Sequence, residues 1–71
     1  MKILINRATN TYAFGYHVYV GDARRIETAK DHIDCKEIVE ELREEARVAG
    51  SALEIRFGPN IGPASQDYFR A

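Results

Sequence analysis

Apolar and polar residues alternate, break and regroup along this chain in a way that assigns most of its elements. Lys2-Ile3-Leu4-Ile5-Asn6 is a short aliphatic and β-branched run that reads as a strand. Arg7 to Thr11 is a polar break. From Tyr12 to Val20 the period is two: Tyr12, Phe14, Tyr16, Val18 and Val20 fall on one face, and Ala13, Gly15, His17 and Tyr19 on the other. The first set is placed inward. Gly21-Asp22 fits a type II′ hairpin turn, whose first central position needs positive φ. Residues 23–28 are then expected to return as a third strand, with Arg24, Ile26 and Thr28 on one face. The same stretch also reads as a helix capped by Asp22, with Ala23, Ile26, Ala29 and Ile33 at helical spacing, and the pattern leaves both open.

The next segment predicts a helix over 35–49. Asp34 followed three positions later by Glu37 is a capping-box spacing. Cys35, Ile38, Val39, Leu42, Ala46 and Ala49 make one apolar stripe. Glu37, Glu40, Glu41, Glu44 and Glu45 fill the remaining positions with Arg43 and Arg47, and Glu40–Arg43 and Glu44–Arg47 are spaced as i, i+3 ion pairs. Gly50 supplies a left-handed cap. Residues 52–57 alternate again, with Leu53, Ile55 and Phe57 inward, as a last strand. Gly58-Pro59 and Gly62-Pro63 bracket Asn60 and Ile61 as a stiff double turn, read first as a connector and second as a recognition loop displaying those two residues. The tail over 59–71 is loop or short helix, with Tyr68 and Phe69 arguing that it docks.

The sum is a single α+β domain over 1–71, β-β-β-α-β in two layers, with one amphipathic helix covering one face of a small, mostly antiparallel sheet. The last strand follows a helical crossover, so it is placed parallel to the first. The uncovered face is expected to carry Leu4, Ala13, His17, Tyr19, Arg25, Glu27, Glu54 and Arg56, a mixture that suits either a solvated sheet or a protein interface.

Composition narrows the function classes. The chain has 71 residues, 45% of them hydrophobic, and ten Lys+Arg against eleven Asp+Glu. Near-neutral charge removes the electrostatic footprint of a general nucleic-acid binder. No run of residues is apolar and long enough for a membrane span, and the first residues form no signal-peptide core. One cysteine cannot form an internal disulfide, which fits a reducing compartment and a cytoplasmic protein. At this length a domain buries only about 60% of its unfolded surface, so self-association is a reasonable further source of stability. A homodimer is weighed equally against a monomer.

Candidate chemistry is sparse. Asp31-His32-Ile33-Asp34-Cys35 is the densest group of potential ligands, yet it lacks the paired Cys and His spacings of zinc sites, and no metal or cofactor is assigned. A Cys35 thiolate would gain from a helix N-terminus but is opposed by Asp34 and Glu37, and no base or oxyanion site accompanies it. The leading expectation is therefore a non-enzymatic module that binds another protein and occludes its surface. Inhibitors carried by phage and mobile elements, including those of CRISPR machinery, are of this type. The partner-binding residues expected are Glu40, Glu41, Glu44 and Glu45 on the helix, facing a basic partner, with His17, Tyr19, Arg25 and Arg56 on the open sheet face. The alternative is a small nucleic-acid-binding module using a basic sheet edge of Arg7, Arg24, Arg25 and Lys30. A third reading, an oligomeric enzyme acting through His17, His32 or Cys35, is set below both.

Overall fold

Strand pairing sets the architecture. In the computed structural model, which describes residues 1–8, 15–21 and 24–71, one sheet contains β1 (Lys2–Arg7), β2 (Tyr16–Val20), β3 (Arg25–Ala29) and β4 (Glu54–Phe57) in the order β3-β2-β1-β4. Two helices, α1 (His32–Val48) and α2 (Pro63–Arg70), complete the α+β fold. β1–β2 and β2–β3 are antiparallel, and β4 runs parallel to β1, as a strand reached through a helical crossover should. Of the nine-residue alternation, β2 holds the last five, and Tyr12, Ala13 and Phe14 lie outside the described residues.

The connection from β2 to β3 corrects the expected turn. Val20 pairs with Arg25, so four residues separate the strands and not the two of a type II′ hairpin. Gly21 does hold the expected positive φ, at 64°. Residues 25–29 form a strand, which removes the helical alternative for this stretch. The pairing also overturns the facing assignment. Arg25 and Glu27 stand opposite Val20 and Val18, so they lie on the helix side of the sheet, while Ile26 and Thr28 share the uncovered side with Tyr19 and His17. Hydrophobicity argued for the opposite placement of Ile26, which is 53% exposed. Register prevails because shifting one strand by a residue would turn all its side chains over.

The long helix starts a turn earlier than its capping-box reading. Asp31, in extended backbone, is the N-cap, and its Oδ1 accepts from the Asp34 N–H at 2.8 Å. Asp34 is then an acid in the first turn, where the helix dipole favours it, and its Oδ2 accepts from the Lys30 N–H at 3.1 Å. The C-terminal end follows the sequence closely. Gly50 has φ 73°, its N–H donates to the Arg47 carbonyl at 3.0 Å, and the Ser51 N–H donates to Ala46 at 2.9 Å, a Schellman closure.

The core lies between one face of the sheet and α1. Ile3, Ile5, Tyr16 and Val18 of the central strands meet Cys35, Val39 and Leu42, with Ala29, Ile61 and Phe69 completing the cluster. A helix about 10 Å across cannot cover four strands set about 4.8 Å apart, and α2 fills the remainder on the same side. Phe69 is wholly buried, edge-on to Tyr16 with ring centroids 5.2 Å apart and stacked on Phe57 at 6.3 Å. The layer is thus α1, as expected, joined by α2 from the tail whose sequence fits loop or short helix. α1 also holds the C-terminal end of α2 electrostatically. Lys36 Nζ donates to the main-chain oxygens of Tyr68 and Ala71, both at 2.8 Å, and Arg43 donates to those of Phe69 and Arg70 at 3.2 and 3.0 Å. Arg43 is therefore turned to α2 and makes no ion pair with Glu40.

Phe69→Ala should cost about 3–5 kcal/mol, the range for deleting a buried aromatic ring. In a domain this small that is enough to lower the thermal midpoint steeply or abolish cooperative unfolding. Thermal circular dichroism checks it, and a midpoint within a few degrees of wild type would mean that α2 contributes little to the fold.

Candidate functional site

Two surfaces collect the residues singled out from the sequence. The first is the outward side of α1. With Cys35, Val39, Leu42 and Ala46 buried, the positions on the far side are Ile33, Glu37, Glu40, Glu41, Glu44 and Val48, all exposed. Ile33 and Val48, 56% and 75% exposed, stand at the two ends of this row. At 1.5 Å per residue they are about 22 Å apart. Between them is a carboxylate stripe, of which only Glu44 has an ion-pair partner among the described residues. Arg47 Nε donates to Glu44 Oε2 at 2.9 Å and its Nη2 to Oε1, which draws the Glu44 carboxyl below its ordinary pKa.

Glu45 does not belong to this stripe. It points sideways to the β3 edge, where Arg25 Nη1 reaches both its oxygens at 2.9 and 3.0 Å. Arg25 Nε also donates to Glu27 Oε1 at 3.0 Å, and these contacts, Glu27 before Glu45, raise its pKa. Two residues assigned to separate surfaces, Arg25 and Glu45, are thus bonded to each other. Glu37 takes the place of Glu45 in the stripe. Its signal was in the sequence, four positions before Glu41 and seven before Glu44.

The second surface is the uncovered sheet face. The pairings align Ile26, Tyr19, Leu4 and Arg56 in one row across all four strands, and Thr28, His17 and Asn6 in the next. His17 and Tyr19 are here as expected, with ring centroids 6.3 Å apart at 89°. Arg56 is here too, donating from Nε to Glu54 Oε2 at 3.2 Å. Asn6 closes against Gly58, where a Cβ would fall 1.6 Å from its Oδ1. Ile26 and Thr28 are the members that sequence reading missed. Ala13, also expected on this face, lies outside the described residues.

The other candidates separate. His17 is on the uncovered face, while His32 opens α1 on the opposite side of the sheet, so the two histidines cannot share a ligand. Among the described residues no three or more His, Cys, Asp or Glu side chains converge as a metal cluster. Of the basic edge, Arg7 lies over the Tyr16 ring at 5.3 Å on the helix side and Arg25 is held by Glu27 and Glu45, leaving Arg24 and Lys30 exposed at the two ends of β3. In the double-proline turn Ile61 is 5% exposed and belongs to the core, so only Asn60 is displayed. No helix among the described residues is long and apolar enough to cross a membrane.

Cys35 is wholly buried, and burial, with the Asp34 charge second, pushes its thiol up to about 12. At neutral pH it is a packed thiol and not a thiolate. The unfolded chain loses this proton near the ordinary thiol value and the folded chain holds it. Stability from this group is therefore complete below about pH 9 and is lost as pH rises from there through about 12. Comparing urea unfolding of wild type and Cys35→Ala across that range isolates the effect. The variant should be less stable overall and lose less further stability as pH rises, and parallel curves would refute the assignment.

No protein-family model, curated protein or solved structure matches this chain, so its surfaces stand on their own chemistry.

Proposed function

We propose that this chain is a small non-enzymatic protein-binding module whose outward α1 stripe settles on a basic surface of a partner protein and acts by occupying it. The observation that supports this is the way cations are distributed around α1. Lys36 and Arg43 are turned to α2, and Arg25 is spent on Glu45. Glu37, Glu40 and Glu41 are left exposed, with no ion-pair partner among the described residues. Like charges gathered on one helix face repel one another, and a cationic partner relieves that repulsion while steering association. Ile33 and Val48 at the ends of the row supply apolar anchors. The inhibitor role of small phage and mobile-element proteins, among them those acting on CRISPR machinery, is offered by analogy of type alone. A single cysteine suits a reducing compartment, and we place the module in the cytoplasm on that ground.

A second contact, with another copy of the chain, is favoured by the uncovered row Ile26-Tyr19-Leu4. It is apolar and aromatic across three strands and ends on Arg56, the residue types that anchor interfaces.

Charge reversal at three positions, Glu37→Lys, Glu40→Lys and Glu41→Lys together, should leave the thermal midpoint nearly unchanged because no ion pair is lost. It should slow association with a partner captured from host lysate by about tenfold or more, with a weakened salt dependence. Equal rates for variant and wild type would remove the stripe from the reading. For the second contact, sedimentation velocity should show a dimer that Ile26→Lys converts to monomer. A monomeric wild type at high concentration would dispose of self-association through this face.

A further inference from the structure

Between the first turn of α1 and the start of α2 lies an open cleft of about 270 Å³, lined by Tyr16, His32, Ala64, Ser65 and Tyr68. None of these residues belongs to the acidic stripe or to the uncovered sheet face. The volume is just under the about 300–1,000 Å³ of pockets for drug-sized ligands, so an occupant would be small.

The polar groups of the cleft are donors in want of an acceptor. Tyr16 is 4% exposed, and its hydroxyl has no hydrogen bond among the described residues. Among the described residues no wholly buried side-chain oxygen or nitrogen lacks a partner, so the Tyr16 oxygen belongs to the small part of the residue left open, and Tyr16 lines the cleft. The α2 N-terminus adds main-chain donors. Its N-cap, Gly62, has no side chain to accept from them, its first turn contains no acidic residue, and the first helical bond is Gln66 N–H to the Gly62 carbonyl at 3.0 Å. The Ala64 and Ser65 N–H groups therefore have no partner among the described residues, and the helix dipole makes this end attractive to negative charge.

Three rings in the lining would also suit a cation, but two of them already serve the protein's own cations. Lys36 Nζ lies 5.1 Å from the Tyr68 ring centroid, and the Arg7 guanidinium 5.3 Å from that of Tyr16. Lys36 adds positive potential beside the cleft. The edge of Tyr68, 38% exposed and 5.7 Å from His32 between centroids, and the Ala64 methyl form an apolar wall.

We propose that this cleft binds a small carboxylate with a flat apolar body, the carboxylate received by the Tyr16 hydroxyl, the Ser65 side chain and the first N–H groups of α2. Benzoate is a suitable probe. Titrated into the ¹⁵N-labelled full chain, it should shift the Ala64 and Ser65 amides saturably, while neutral benzamide and inorganic phosphate shift them much less. Tyr16→Phe removes an unpartnered hydroxyl, so it should fold with an unchanged or higher midpoint and yet bind benzoate about tenfold more weakly, the effect of losing one hydrogen bond to a charged group. No saturable shift at these amides, equal response to benzamide, or undiminished binding by Tyr16→Phe would overturn the assignment. A phosphate response as strong as that of benzoate would overturn its apolar half.

Discussion

The packing of Phe69 holds the three parts of this molecule in one piece. Its ring lies edge-on to Tyr16 on β2, stacked on Phe57 of β4, and beside Tyr68 at 5.6 Å. A domain of this length has little apolar surface to spare, and a large share of it is brought together through that one side chain. Two cations of α1, Lys36 and Arg43, fasten the main-chain oxygens of Tyr68 to Ala71 around it, so an eight-residue helix too short to persist alone is held at its C-terminal end by both apolar and polar contacts. The cleft at the other end of α2 exists because this anchoring sets α2 against the start of α1.

The same economy shapes the charge distribution. The chain is nearly neutral, but the four cations on or beside α1 are used internally: two on α2, one at the β3 edge, one on Glu44. What is left outward on α1 is carboxylate. Exposed ion pairs such as these add little to stability, so their principal effect here is to decide which charges remain to meet a partner. Arg25 shows the consequence most plainly. On the uncovered face it would have lent that surface a basic character, whereas bonded to Glu45 it cancels one acid of the helix and leaves the row Ile26-Tyr19-Leu4 predominantly apolar.

Charged side chains on the helix layer of β3 also bear on its role as an edge strand. An edge exposes unpaired main-chain groups, and inward-pointing charges are one way proteins discourage pairing there. Arg25 and Glu27 occupy that position, which directs any contact with another copy of the chain to the face of the sheet and not to its rim.

Periodicity and end signals were sufficient for every element whose determinants are local. The α1 stripe, the left-handed Gly50, the positive φ of Gly21 and the alternation through Ile55 and Phe57 all follow from which residues stand next to which, and the parallel placement of β4 follows from the handedness and length of a helical crossover. Of the candidate residues, Glu40, Glu41, Glu44, His17, Tyr19 and Arg56 sit on the surfaces that spacing assigned them. Tertiary structure decided the rest. The facing of Arg25 and Ile26 was set by cross-strand register, which binds a residue to its neighbour on another strand whatever its own polarity. Asp31 took the place of Asp34 as cap because its backbone is still extended after β3 and its side chain reaches the Asp34 N–H. Arg43 turned from Glu40 to α2, 26 positions on, and the donors of Tyr16 and Ser65 came to line one cleft from farther apart still, because packing joins distant segments, and no pattern read along the chain carries such distances.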